Sequence, residues 1–254
     1  MAIELDRVDG VAWVRLAKPQ VLNALTPDEF EHLAELITEV AGTSTDRALV
    51  IAGSGGAFCA GADLSQLNDD SHVIEVMRRI HRAARQLHEL SKPALAAVDG
   101  VAAGAGANLA LGCDFVLAST AASFRQIFVK RGLAPDFGGT WLLPRLVGMQ
   151  TAKRLMMLGD AVDADTALRI GLVGEVLKPE DLDERVQELA RRLAAGPPVA
   201  LGRIKHLLAI ATSNGFDDQL DAEAAAAAVN VATADFAEGL AAFAERRAPV
   251  FRGR

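Results

Sequence analysis

The run Asp99-Gly-Val-Ala-Ala-Gly-Ala-Gly-Ala-Asn-Leu-Ala-Leu-Gly112 constrains this chain more than any other stretch. An apolar strand, Pro93 to Val98, leads into it, small residues follow, and a helical apolar pattern begins near Ala105. Backbone, not side chain, is what such a run presents. Where a small-residue turn enters a helix, the first N–H groups lack intrahelical partners and carry the positive end of the helix dipole. The pattern therefore predicts an anion cradle, suited to a phosphate, an enolate or a tetrahedral oxyanion.

The rest of the chain frames that element. Ile3-Glu4 and Val11 to Leu16 alternate around Asp9-Gly10, which predicts a β-hairpin with a tight turn. Thr26-Pro27-Asp28-Glu29 is a capping box with proline at the first helical position, and Phe30, Leu33, Ala34, Ile37 and Val40 follow at helical spacing. Ala48 to Ala52 reads as a buried strand that runs into a second small-residue loop, Gly53 to Asp63. Ser71 is the expected cap of an amphipathic helix carrying Val73, Ile74, Met77, Ile80, Ala84 and Leu87. Phe115 to Ala118 and Leu172 to Leu177 read as strands, and Ala122 to Phe128 as a short strand or turn. Helices are expected over Thr151–Leu158, Asp163–Ile170 and Asp181–Ala195, the second capped by Asp163 and ended by Gly171. Gly196-Pro197-Pro198 marks a boundary, because no helix continues through two prolines. Residues 1–195 are thus expected to form the core, and residues 196–254 an all-helical region whose alanine-rich surface suits packing against another subunit.

Composition removes several function classes. A chain of 254 residues with 51% hydrophobic and 23% charged residues folds around a large core. Its net charge of −7 gives no basic footprint, which argues against nucleic acid. Aromatic residues make up 5% and tyrosine is absent, so there is little material for base-stacking platforms. Cys59 and Cys113 stand singly, without the spacing of a disulfide framework or a zinc site. No leader pattern opens the chain and no apolar run reaches the length of a membrane span, so a cytoplasmic protein without metal or membrane partner is expected.

Familiar nucleotide and nucleophile motifs fail on inspection. Gly104-Ala-Gly106 begins like a dinucleotide fingerprint, but Leu109 stands where the third small residue belongs. Gly53-Ser-Gly55-Gly56 lacks the lysine of a phosphate-binding loop, and Ala52 occupies the first position a nucleophile elbow around Ser54 would need as glycine. The five histidines fall in helical patterns and read as helix surface, and Cys59 reads as a small buried filler. Asp136 is different. It follows Pro135 among Leu133, Ala134 and Phe137, and it precedes Gly138-Gly139, so a carboxylate is held on a turn in apolar surroundings. Desolvation there raises a carboxyl pKa and suits a general base, while a turn or N-cap aspartate is the bland alternative. Asp63 reads as a helix cap first and as a catalytic residue second.

Four blocks in order now carry a pattern. Ala17-Lys-Pro-Gln-Val-Leu-Asn-Ala-Leu25, Phe58-Cys-Ala-Gly-Ala-Asp-Leu64, Asp99 to Gly106 and Pro135-Asp-Phe-Gly-Gly-Thr140 resemble the crotonase (enoyl-CoA hydratase/isomerase) superfamily, and Ala242 to Phe251 resembles its tail. Gly132 to Arg145 is most similar to the isomerases that act on ring epoxides of phenylacetyl-CoA. The resemblance implies an α/β spiral of βββα turns, a helical C-terminal trimerisation region, a homotrimer or dimer of trimers, and a coenzyme A thioester as substrate with no further cofactor. It implies that the Ala62 and Ala105 N–H groups hold the thioester oxygen, with Gly104 in the second loop. Gln20, Val21, Leu22, Ala24 and the loop Ala60, Ala62, Asp63 and Leu64 would lie along the coenzyme, while Phe128, Phe137 and Trp141 would wall the acyl pocket. Hydratases of the family carry two glutamates where this chain has Asn108 and Phe128, and neither an amide nor a phenyl ring activates water. Asp136 stands where isomerases of the family place a proton carrier, with Asn108 left to orient substrate or water. A hydratase using Asp136 or Asp63, and a non-catalytic acyl-CoA-binding protein, are the competing readings.

Overall fold

Asp9 and Gly10, with φ of 53° and 77°, reverse the chain between β1 (Ile3–Val8) and β2 (Val11–Leu16). Two successive positive φ values match the right-handed twist of paired strands, and the register places Val8 opposite Val11, so the two-residue hairpin turn forms as expected. The computed structural model describes residues 2–63 and 72–253. Thr26 caps α1 (Pro27–Gly42): its side chain accepts from the Glu29 N–H, and the Glu29 carboxylate accepts from the Thr26 N–H. α2 (Val73–Glu89) is capped by His72. Ser71, the expected cap, lies outside the described residues.

From β3 (Ala48–Gly53) onward the chain winds in repeating turns. Each turn adds one strand to a large sheet and then a three-residue strand to a small one. β3 is followed by β4 (Ala57–Cys59) and α2, then β5 (Ala94–Val98) by β6 (Val101–Ala103) and α3 (Ala105–Leu111). β7 (Phe115–Ser119) is followed by β8 (Ser123–Arg125) and a 3₁₀ turn, Ile127–Arg131. The large sheet runs β1-β2-β3-β5-β7-β10 and the small one β4-β6-β8-β9, with β9 at Ala161–Asp163 and β10 at Glu175–Leu177. Apart from β1–β2 and β8–β9 the pairings are parallel, and β3 and β5 are apolar runs buried on both faces.

Those short strands correct the sequence reading. The expected strand-to-helix loops at 53–63 and 99–104 each contain a strand, β9 was not anticipated, and the strand expected over Leu172–Leu177 shrinks to β10. Three residues give no alternation to detect, and such strands exist only through pairing with distant segments.

One face of the large sheet packs under α1, α2 and α3, where Phe30, Leu33, Ile37, Ile80, Leu87 and Leu109 are buried. The other face packs against α6 (Pro179–Ala194) through Leu182, Val186 and Ala190. The apolar segment from Leu142 and the helix expected at Thr151–Leu158 are one helix, α4 (Gly139–Leu158), broken at Gly148 with φ 75°. Asp163 caps α5 (Ala164–Arg169) by accepting from the Thr166 N–H. Among the described residues the elements after Gly196-Pro197 are all helices: α7 (Pro198–Ile210), α8 (Phe216–Val231) and α9 (Ala234–Glu245). α7 is tied back to the core by the Lys205–Asp114 ion pair at 2.8 Å. No helix of the described residues is long and apolar enough to cross a membrane.

Candidate active site

Three loops converge on the start of α3. In the first, Asn23 is fully buried with φ 57°, and its amide bonds three main-chain groups: it accepts from the Lys18 N–H at 2.8 Å and donates to the Ser54 and Ala57 carbonyls at 3.0 and 2.7 Å. Asn tolerates the left-handed conformation better than most residues. This pin fixes the exposed turn at Pro19–Val21 and presents Gln20, Val21 and Leu22 at the surface, with Ala24 half-buried. The second loop lies alongside, because the Ala60 N–H donates to Leu22 O, the Leu25 N–H to Gly61 O and the Asp63 N–H to Leu25 O, at 2.9, 2.9 and 2.8 Å. Leu25 thereby spans the peptide on either side of Ala62, and among the described residues no acceptor takes the Ala62 N–H.

The third loop meets the second at van der Waals distance. A Cβ on Gly61, where φ is 99°, would lie 2.7 Å from Ala103 O and 3.3 Å from Ala105 N. A Cβ on Gly106 would lie 2.2 Å from Cys59 O. Only glycine permits either approach, which is the physical reason for the small-residue composition of both blocks. Ala105 opens α3 behind Gly104, and its N–H also has no acceptor among the described residues. Two main-chain donors from two loops are thus held beside each other. Cys59 between them is a thiol rather than a thiolate: it is fully buried, it donates to Asn23 O at 3.1 Å, and burial pushes its pKa up to about 12.

Asp136 is joined to α3 through its main chain. Asn108, three residues beyond Ala105 and so about 4.5 Å along the helix axis, is fully buried and donates from Nδ2 to the Asp136 carbonyl at 2.9 Å. Its Oδ1 accepts from Gln126 Nε2 at 2.8 Å. The Asn108 amide thus bonds protein through both its nitrogen and its oxygen. Asp136 itself lines a cavity of about 480 Å³ between α2 and the turn that opens α4. Its Oδ1 is buried without a hydrogen-bond partner among the described residues, and desolvation pushes its carboxyl up to about 6. Among the described residues it is the only carboxylate in that cavity's lining. It does not cap α4, whose N-cap is Gly138.

Other expected wall residues divide. Trp141 lines the cavity, with the Arg145 guanidinium 3.9 Å over its ring and His88 edge-on at 5.2 Å. Phe137 forms the floor from the core side, buried against Phe30 with ring centroids 5.7 Å apart. Phe128 is not in this cavity: it is buried beside the oxyanion turn, near enough that a Cβ on Gly104 would lie 3.6 Å from its ring. Leu64, and the helix start that Asp63 was expected to cap, lie outside the described residues. His81 was missed. It was read as helix surface, yet it lines the Asp136 cavity with Nε2 buried and without a partner among the described residues, and burial lowers its pKa. Its spacing of seven from His88 put both on one face of α2, but nothing local says that face meets residues 135–142.

The enoyl-CoA hydratase/isomerase family model matches residues 6–254. The chain belongs to this family. It is 41% identical over 251 residues to the 1,2-epoxyphenylacetyl-CoA isomerase of Escherichia coli K12, an alignment covering 96% of each chain. It is also 35% identical over 246 residues to the short-chain-enoyl-CoA hydratase of Clostridium acetobutylicum, covering 96% of this chain and 94% of the relative. The crystal structure of an enoyl-CoA hydratase from Bacillus anthracis superposes with a TM-score of 0.95 at 31% identity, covering all of both chains. Family membership makes this an enoyl-CoA hydratase/isomerase-type enzyme of the crotonase fold, consistent with an acyl-CoA thioester as substrate.

Proposed function

We propose that the protein is an isomerase of enoyl-CoA thioesters that moves a double bond by proton transfer through Asp136. The observation that carries this reading is that Asp136 is the one carboxylate lining the cavity among the described residues, with Oδ1 buried and unpartnered there, while the neighbouring amide of Asn108 is engaged by Gln126 and by the Asp136 main chain. Hydration needs one group to activate water and another to deliver a proton; a double-bond shift needs one group for both transfers. In the proposed cycle the thioester oxygen accepts from the Ala62 and Ala105 N–H groups. Asp136 removes a proton from the α carbon of a 3-enoyl thioester, the negative charge spreads as a dienolate onto that oxygen, and the Asp136 carboxylic acid returns the proton to the γ carbon. Each main-chain donor of this kind contributes about 3 kcal/mol to the transition state. No cofactor enters the scheme. The coenzyme would run along Gln20 to Ala24 and Ala60 to Leu64.

The similarity to the 1,2-epoxyphenylacetyl-CoA isomerase supports a ring-derived acyl group, and Trp141 with Phe137 suits one. In this reading residues 196–254 form the oligomerisation region of a homotrimer or a dimer of trimers in the cytoplasm. Separate incubation with 3-enoyl-CoA and with 2-enoyl-CoA tests the activity. The expected result is appearance of conjugated-thioester absorbance from the 3-enoyl ester and little loss of it from the 2-enoyl ester. Rapid loss from the 2-enoyl ester without isomerisation would establish the hydratase, and no change with either ester or with phenylacetyl-derived esters would establish a binding protein.

A further inference from the structure

Gln126 follows β8 at the entry to the 3₁₀ turn and is 5% exposed. Its Nε2 donates to Asn108 Oδ1 at 2.8 Å, and Asn108 Nδ2 donates to Asp136 O at 2.9 Å. The orientation of both amides follows from the last acceptor. A carbonyl oxygen can only accept, so Asn108 must turn its NH₂ toward Asp136; its oxygen then faces Gln126, which must in turn present NH₂. The cost is visible at the far end: Gln126 Oε1 is buried and has no partner among the described residues. A buried carbonyl left without a donor is unfavourable, so Gln126 keeps the Asn108 oxygen satisfied while its own oxygen goes without a partner. The packing is as tight as the bonding, since a Cβ on Gly139 would lie 2.3 Å from Asn108 Nδ2.

We propose that Gln126 is a positioning residue: through Asn108 it locks the peptide of Asp136 so that the carboxyl stays in its water-poor place in the cavity. The inference rests on the reading of Asp136 as the proton carrier. Without the Gln126 donor, Asn108 Oδ1 is left buried and unpaired, and the amide loses one of the two bonds that hold it against the Asp136 carbonyl. The turn then loosens, water reaches the carboxyl, and the desolvation that holds it near 6 relaxes toward the ordinary carboxylate value.

The test is a double-mutant cycle of Gln126→Met and Asn108→Ala in the full chain, with isomerisation followed from pH 4.5 to 8. Gln126→Met keeps length and removes the donor. Its expected effect is a fall in kcat of tenfold or more with KM within about twofold, since displacement by about 1 Å can cost a factor of a hundred. The acid limb of the kcat/KM profile should move below 6. In the Asn108→Ala background the same substitution should cost no further activity, because its route is gone. Additive losses, or an unmoved acid limb with normal kcat, would overturn the proposal. If Gln126→Met fails to fold, Gln126→Leu is read the same way. Asp136→Asn run in parallel separates the two readings: an active Asp136→Asn sinks the proton carrier itself, whereas an inactive one beside a normal Gln126→Met sinks only the role of Gln126.

Discussion

At the scale of single residues the site depends on a carboxyl kept where it ionises reluctantly. The proposed proton transfer requires ionised Asp136, so kcat/KM is expected to rise with pH through about 6 and to level above it; a profile flat down to pH 4.5 would contradict this. The same shift has a stability cost of defined sign. Between the ordinary value of 3.8 and about 6 the folded chain still holds a proton that the unfolded chain has lost. That contribution to stability is full below about 4 and lost as pH rises through about 6. Asp136→Asn should therefore unfold at higher urea at pH 8, by about 1–3 kcal/mol, a shift near two pKa units being worth about 1.4 kcal/mol per unit. At pH 4 the gain should vanish. Asp136 was legible from sequence because proline, apolar neighbours and a glycine pair are all local to it. The placement of His81 beside it and the bond from Gln126 to Asn108 were not, since both come from segments that only the fold brings together.

At the scale of elements, what ends and turns them was readable and what pairs them was not. Asp9-Gly10, the Thr26 box and Asp163 act through atoms within three residues, and each appears as the spacing predicts. Thr26→Ala is expected to cost about 1 kcal/mol in urea unfolding, the ordinary value of a helix N-cap. The strands β4, β6 and β9 are invisible in sequence because pairing across the small sheet, not propensity, creates them. Their purpose is nonetheless encoded in the glycines. Gly106→Ala must push β4 away from α3, since its Cβ would enter the Cys59 carbonyl. Thermal unfolding and steady-state kinetics on the same preparation should show a loss of about 1–3 kcal/mol together with a larger fractional loss of kcat, because the Ala62 and Ala105 amides are separated. A fall in stability with normal kcat would show that the two loops need not touch.

At the scale of the whole molecule, the helices after Gly196 leave large apolar side chains in water when one copy stands alone: Phe216 is 78%, Phe243 87% and Leu240 58% exposed. A monomer rarely tolerates such a surface. Phe243→Glu is expected to shift sedimentation from a multi-subunit species toward a smaller one, and an unmodified chain that sediments as a monomer would refute the oligomeric reading. The core works differently, for its three loops come from separate turns of one spiral and meet at α3, and in the proposed reading two amides and one acid address a single thioester. Deuterium incorporation from heavy water into a 3-enoyl-CoA tests that convergence most directly. The unmodified protein should exchange the α proton and deliver label to the γ carbon of the 2-enoyl product, and Asp136→Asn should lose both by a factor of a thousand or more, on the order of a missing acid–base group. Undiminished exchange in Asp136→Asn would contradict the account.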